Sequence, residues 1–118
     1  MLASKGEKKI HDILKSAGFD FIEEYSFADL LGMRGIPLRF DFAVFDDDGC
    51  LLCLIEYQGK QHYQPVEVFG GRDRFNRQKR YDARKIDYCR KRNIRLVIIP
   101  FEDEAKIDYD YIVNEIYR

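Results

Sequence analysis

The sequence has no run of 18 apolar residues, and its N-terminus lacks the basic, apolar, small-residue pattern of an export leader. Those absences argue against a helical membrane span and predict a soluble, unexported, cytoplasmic chain. Cysteine is scarce as well. Three residues, an odd number at low density, exclude a secreted disulfide scaffold and point to reduced thiols. Internal repeats, low-complexity tracts and linkers are also missing. The 118 residues, 46% of them hydrophobic and 14% aromatic, therefore read as one domain over residues 1–118 with enough apolar surface for a core.

The chain also has almost no net charge, formally -1, but the charge is unevenly spread. From Arg72 to Arg95 there are eleven Lys or Arg against three Asp; the rest holds nine basic and eighteen acidic residues. A basic segment beside an acidic remainder suits a polyanion partner held against a carboxylate cluster, although a solvated helix face has the same composition.

Ser4-Lys5-Gly6-Glu7 has the capping-box pattern, and Ile10, Ile13, Leu14 and Ala17 follow at helical spacing up to Gly18. A first helix is predicted over 4–17, a short strand over 19–25 and a loop over 27–37. Residues 38–45 and 51–58 are two strand-like runs joined by an acidic turn. Residues 59–71 are polar and irregular. A long helix over 73–92, a buried strand over 94–100 and a closing helix over 107–117 complete the order α-β-β-β-α-β-α, a mixed α/β domain.

The chemistry concentrates on the hairpin. Asp48-Gly49 is a two-residue turn signal, with positive φ needed at both positions of a type I′ turn. Counting back from that turn sets Asp41 opposite Glu56. Cross-strand Cβ atoms are about 4.5–5.5 Å apart, and like charges there repel. Asp41 sits between Phe40 and Phe42, and Glu56 between Ile55 and Tyr57, so both interrupt apolar strands. Such a pair needs a shared proton or a cation, and a hard divalent ion on oxygen ligands is the simpler answer; acids facing water are the alternative. Gln58 shares the face of Glu56, the Tyr57 backbone carbonyl offers another oxygen, and Lys60 and His62 follow as the chain leaves the strand. On the long helix, Phe75, Asp82, Ile86 and Cys89 form one stripe that turns Asp82 inward, with Lys85 on the same side. On the first helix Glu7 lies in line with Ile10 and Leu14, though a capping-box Glu already has a partner.

Other motifs carry less. Cys50 and Cys53 have knuckle spacing but opposite directions on a strand. Asp46-Asp47-Asp48-Gly49 lacks the ligand pattern of a calcium loop and reads as a turn. His11 is expected to face solvent, and Tyr109, Tyr111 and Tyr117 to pack.

An acid-bearing helix, Phe-Asp-Phe at 40–42, Ile-Glu-Tyr-Gln-Gly-Lys-Gln-His-Tyr at 55–63 and Asp-x-x-Lys at 82–85 together resemble the PD-(D/E)XK nuclease superfamily. The nearest likeness is to its very-short-patch-repair-like branch and to phage and homing endonucleases, and it runs from Glu7 to about Phe101. The resemblance implies a restriction-endonuclease-like core, a central mixed four-stranded sheet flanked by helices with a C-terminal helix. It implies Mg²⁺ or Mn²⁺ on Asp41 and Glu56, and roles for Glu7, His62, Asp82 and Lys85. Where the superfamily has Glu-x-Lys this chain has Glu56-Tyr57-Gln58, which leaves Lys60, Lys85 and His62 to supply the missing cation or proton transfer. Arg72, Arg74, Arg77, Arg80, Arg84 and Lys60 would contact DNA phosphates. The Phe69-to-Phe75 stretch suits either a loop closing over DNA or an ordinary lead into the helix.

The resulting expectation is a Mg²⁺-dependent DNA endonuclease of a bacterial or phage-infected cell, with RNA as the other substrate. Double-strand cutting would call for a homodimer or a targeting partner protein. The rival is an inactive nucleic-acid-binding module retaining the nuclease fold.

Overall fold

A computed structural model describes residues 4–59 and 71–118. Helix α1 (Lys5–Ser16) is followed by strands β1 (Asp20–Leu31), β2 (Pro37–Phe45) and β3 (Leu51–Gln58). Helix α2 (Gly71–Lys91) then leads to β4 (Leu96–Pro100) and α3 (Tyr109–Tyr117). The four strands form one sheet in the order β1-β2-β3-β4, antiparallel except for the parallel β3–β4 pair.

Helices cover both faces. Ile10 and Leu14 of α1 and Ile112 and Ile116 of α3 pack on Phe42, Val44, Cys53, Ile55, Tyr57, Val97 and Ile99. Tyr88 and Cys89 of α2 pack on Leu30, Leu38, Phe40, Ala43 and Leu54. The expected α/β domain with a mixed four-stranded sheet is therefore present. Among the described residues no helix is long and apolar enough to cross a membrane.

The caps explain the helix starts. The Ser4 hydroxyl accepts from the Glu7 N–H (3.2 Å), and the Asp108 carboxylate accepts from the Tyr111 N–H (2.9 Å). Gly18, at φ 79, closes α1 as expected. The closing helix is shorter than the 107–117 expected, because Asp108 caps it and residues 101–106 form a 3-10 turn.

Three expectations on local structure need correction. The loop over 27–37 is confined to 32–36, because β1 continues to Leu31: Phe27 packs its ring on Phe40 and Tyr88, and Leu30 is buried. The hairpin turn is not type I′. Only Gly49 has positive φ (82), the Gly49 N–H donates to the Asp46 carbonyl, and the Asp46 carboxylate accepts from the N–H groups of Asp48 and Cys50. That longer loop shifts the register by one, and a bulge between Val44 and Phe45 shifts it back. Phe42 therefore pairs with Ile55, as the simpler turn would also have it. On α2, Ile86 is 43% exposed and the inward stripe runs through Lys85, Tyr88 and Cys89 instead.

The sheet has a further irregularity at the level of Asp41. Phe21 packs under α1 and α3, whereas Tyr25 and Phe27 pack under α2. Likewise Phe42 and Val44 face α1 and α3, whereas Leu38 and Phe40 face α2. Strict alternation would put each set on one face. Both strands thus exchange faces at one level, at Glu24 (φ 51) on β1 and at Asp41 on β2.

Candidate functional site

The β2–β3 ladder ends at Phe42↔Ile55, and its register, continued by one residue, brings Asp41 beside Glu56. Beyond this point the Tyr57 N–H donates to Asp41 Oδ2 at 2.7 Å instead of to a backbone carbonyl. A strand residue's N–H and C=O point to the same edge, so the Tyr57 carbonyl also faces the β2 side. Gly6 of α1 lies flat against the Tyr57 ring, where a Cβ would come within 2.2 Å of it. The missing side chain lets α1 seat closely on β3.

Glu56 is 5% exposed and Lys85 of α2 is 8% exposed, the two charged residues buried among those described. Lys85 Nζ donates to Glu56 Oε1 at 3.0 Å and lies 5.3 Å from the centre of the Phe40 ring. The ammonium is therefore held between a carboxylate and an aromatic face.

Electrostatics tie the group together. Burial first, and then the Glu56 carboxylate, push Asp41 up to about 8; Glu7 adds to the rise, while the Tyr57 N–H and Lys85 oppose it. Glu56 is raised chiefly by burial, against the pull of Lys85, with Asp82 adding to the rise. At neutral pH the carboxyl pair keeps a proton that an exposed pair would lose.

The expected site residues fall into three groups. Asp41, Glu56 and Lys85 meet where β2, β3 and α2 come together, Glu7 acts electrostatically on Asp41 and Asp82 on Glu56, and Gln58 follows Glu56 on the same strand, half-buried. Lys60 and His62 lie outside the described residues, as do Phe69 and Gly70. Arg72, Arg74, Arg80 and Arg84 are exposed on α2 and Arg77 is half-buried there; Arg77, Arg80 and Arg84, at spacings of three and four, share one side.

Sequence reasoning missed Gln78, whose amide donates to Asp82 Oδ1 (2.9 Å); the spacing of four was the available signal. It also missed Phe40 and Gly6, whose roles depend on tertiary contacts. His11 is less solvated than expected: Nδ1 is 3.1 Å from Asp12, and its ring meets Phe21 edge-on. Tyr109 and Tyr117 are mostly exposed rather than packed, while the Tyr111 hydroxyl bonds Asp103 (2.8 Å). Cys50 is exposed and Cys53 buried, so they do not share a ligand.

Among the described residues no three His, Cys, Asp or Glu side chains are grouped tightly enough to enclose a metal ion. One buried and one half-buried carboxyl, with the Tyr57 carbonyl on the same strand edge, suit Mg²⁺ better than zinc or calcium, because Mg²⁺ keeps several waters and uses one or two carboxylates. By fold and centre, this is an α/β domain with a buried carboxylate–ammonium cluster where a mixed sheet opens.

No protein-family model matches the chain, and no solved structure matches it. Uncharacterized protein 094L of Frog virus 3 (isolate Goorha) is 45% identical over 49 residues, which cover 40% of this chain. The chain spans 32% of the length of that relative, whose name assigns no activity.

Proposed function

We propose that the protein is a divalent-metal-dependent deoxyribonuclease with a restriction-endonuclease-like core. The observation that carries this reading is the carboxyl pair of half-buried Asp41 and buried Glu56, with the Lys85 ammonium 3.0 Å from Glu56. Asp41, Glu56 and the Tyr57 carbonyl would hold Mg²⁺ or Mn²⁺. The ion, when bound, supplies Lewis acidity at a phosphodiester and lowers the pKa of water.

The chain's own residues account for the rest. Lys85 brings to Glu56 the cation that Gln58 does not supply, arriving from a helix instead of the strand. Its position next to the carboxyl pair suits charge stabilisation at a phosphate oxygen. Glu7 and Asp82 keep the local field negative, which favours retention of a cation. The arginines of α2 would bind flanking phosphates and set affinity without reading sequence. His62 keeps its proposed part in proton transfer.

The Lys85–Glu56 ion pair also supports a second reading. An ammonium that neutralises Glu56 lets the fold stand without an ion, as a nucleic-acid-binding module would. Conversion of supercoiled plasmid to nicked and linear forms decides between the two. Cutting that requires Mg²⁺ or Mn²⁺, stops in EDTA and is lost in Glu56→Ala and Lys85→Met is the result expected of the enzyme. DNA binding without cutting of plasmid, single-stranded or branched DNA would leave the binding module.

A further inference from the structure

The turn between β1 and β2 presents apolar side chains where loops usually present polar ones. Leu31, Met33 and Ile36 are 37%, 51% and 61% exposed. This tip is nonetheless well fixed. The Gly32 N–H donates to the Ile36 carbonyl (2.8 Å), and the Ile36 N–H donates back to the Met33 carbonyl (3.2 Å). The Leu38 and Tyr81 side chains close on Gly32, where a Cβ would lie 2.6 Å from Leu38 Cδ2 and 3.2 Å from the Tyr81 ring. Arg34 sits at φ 60, a conformation that disfavours a Cβ.

The anchor of the tip sets its distance from the carboxylate centre. The Met33 N–H donates to the Tyr81 hydroxyl at 2.7 Å. Tyr81 lies one turn before Lys85 on α2, about 6 Å along the helix axis. Arg77 and Arg84, at i−4 and i+3, flank Tyr81 on the same side of the helix. Asp29 of β1, the acid near these cations, is engaged by the Tyr88 hydroxyl (2.6 Å) and by Arg92 (2.9 Å).

An apolar tip that carries Arg34 and is anchored on α2 between the positions of Arg77 and Arg84 offers cations to phosphates and apolar groups to base faces. Met, Ile and Leu are side chains that wedge between base steps, at an unstacking cost that is smaller where the stack is already broken. A continuous duplex hides its base faces, whereas a nick, gap or branch exposes them. We propose that the Met33–Ile36 tip is a wedge that contacts unstacked bases and directs the neighbouring centre to interrupted DNA. Its choice of DNA rests on the deoxyribonuclease reading.

Binding tests the wedge without cleavage. The full chain, in EDTA, is titrated against a labelled continuous duplex and the same duplex with a one-nucleotide gap edged by 2-aminopurine. The gapped form is expected to bind about tenfold tighter, with a change in 2-aminopurine fluorescence. Met33→Ser/Ile36→Ser should bind both forms with the continuous-duplex affinity, while its circular dichroism and thermal midpoint stay unchanged. Should that variant lose structure, Ile36→Ser alone, at the most exposed position, is read the same way. Equal binding of the two duplexes by the wild type, or a variant that keeps the preference, overturns the wedge. Gap preference without Mg²⁺-dependent cutting would leave the wedge standing and remove only the enzyme reading. Cutting without gap preference would do the reverse.

Discussion

Replacing Asp41 with Asn gives a direct test of the carboxyl pair that does not depend on any activity. The folded Asp41 carboxyl is raised to about 8 from an ordinary value of 3.8, first by burial and then by Glu56. A raised folded pKa means that the folded state holds a proton the unfolded chain has released. The associated stability is complete below about pH 4 and is lost as the pH rises towards 8. Within that window the slope for one proton is about 1.4 kcal/mol per pH unit. Between pH 5 and 7 the metal-free wild type should therefore lose about 2–3 kcal/mol through this group alone. Asn has the shape of the protonated acid, cannot titrate, and can still accept from the Tyr57 N–H. Asp41→Asn should accordingly gain about 2–3 kcal/mol relative to wild type over the same interval. Urea unfolding in EDTA at pH 5, 6, 7 and 8, followed by far-ultraviolet circular dichroism, measures both curves. Asp12, Asp29 and Asp87, whose carboxyls lie below the usual range through their hydrogen-bond partners, are common to both proteins and cancel. Parallel curves across the window would refute the reasoning, since they would mean that Asp41 ionises as freely in the fold as outside it.

Two further perturbations act on the same centre. Lys85→Met leaves Glu56 buried without its ammonium and should cost about 3–5 kcal/mol at pH 8. The cost should shrink at pH 5, where Glu56 can take a proton, and adding Glu56→Gln should recover part of the loss at pH 8. Equal stability of Lys85→Met and wild type at pH 8 would argue against the buried pair. Gly6→Ala should destabilise, because overpacking against the Tyr57 ring costs about 1–3 kcal/mol. The better helix propensity of Ala returns only about 1 kcal/mol. A raised thermal midpoint in Gly6→Ala would mean that α1 and β3 are seated less closely than the 2.2 Å approach requires.

Periodicity made much of this arrangement legible. Alternation on β2 and β3 and the helical spacing of Asp82 and Lys85 were enough to bring the acids and the lysine to one place. The agreement at Asp41 and Glu56 has a less direct cause. The turn is one residue longer than Asp48-Gly49 implies, and the bulge at Val44–Phe45 restores the register. A local signal cannot reveal such a compensation, because the bulge depends on how β3 packs and not on the turn residues. The length of β1 was hidden for a similar reason. Gly32, Gly35 and Pro37 announce a loop, but what holds Phe27 and Leu30 in the strand is packing against Phe40 and Tyr88, distant in sequence. On α2 the inward residues include Lys85 and Tyr88, so a stripe counted on Ile86 was rotated away from its true centre. The aromatic face over Lys85 and the glycine seat under α1 are tertiary facts with no periodic trace.

The exchange of faces at Glu24 and Asp41 has a consequence for how this sheet can change over time. A side chain at the crossing level belongs to neither apolar cluster, so its polarity opens neither one to water. Most interior positions of a sheet admit a charged group only at the expense of the packing around it. Here the two cores part at the level of Asp41 and leave a seam through which chemistry can be altered while the scaffold on either side stays intact.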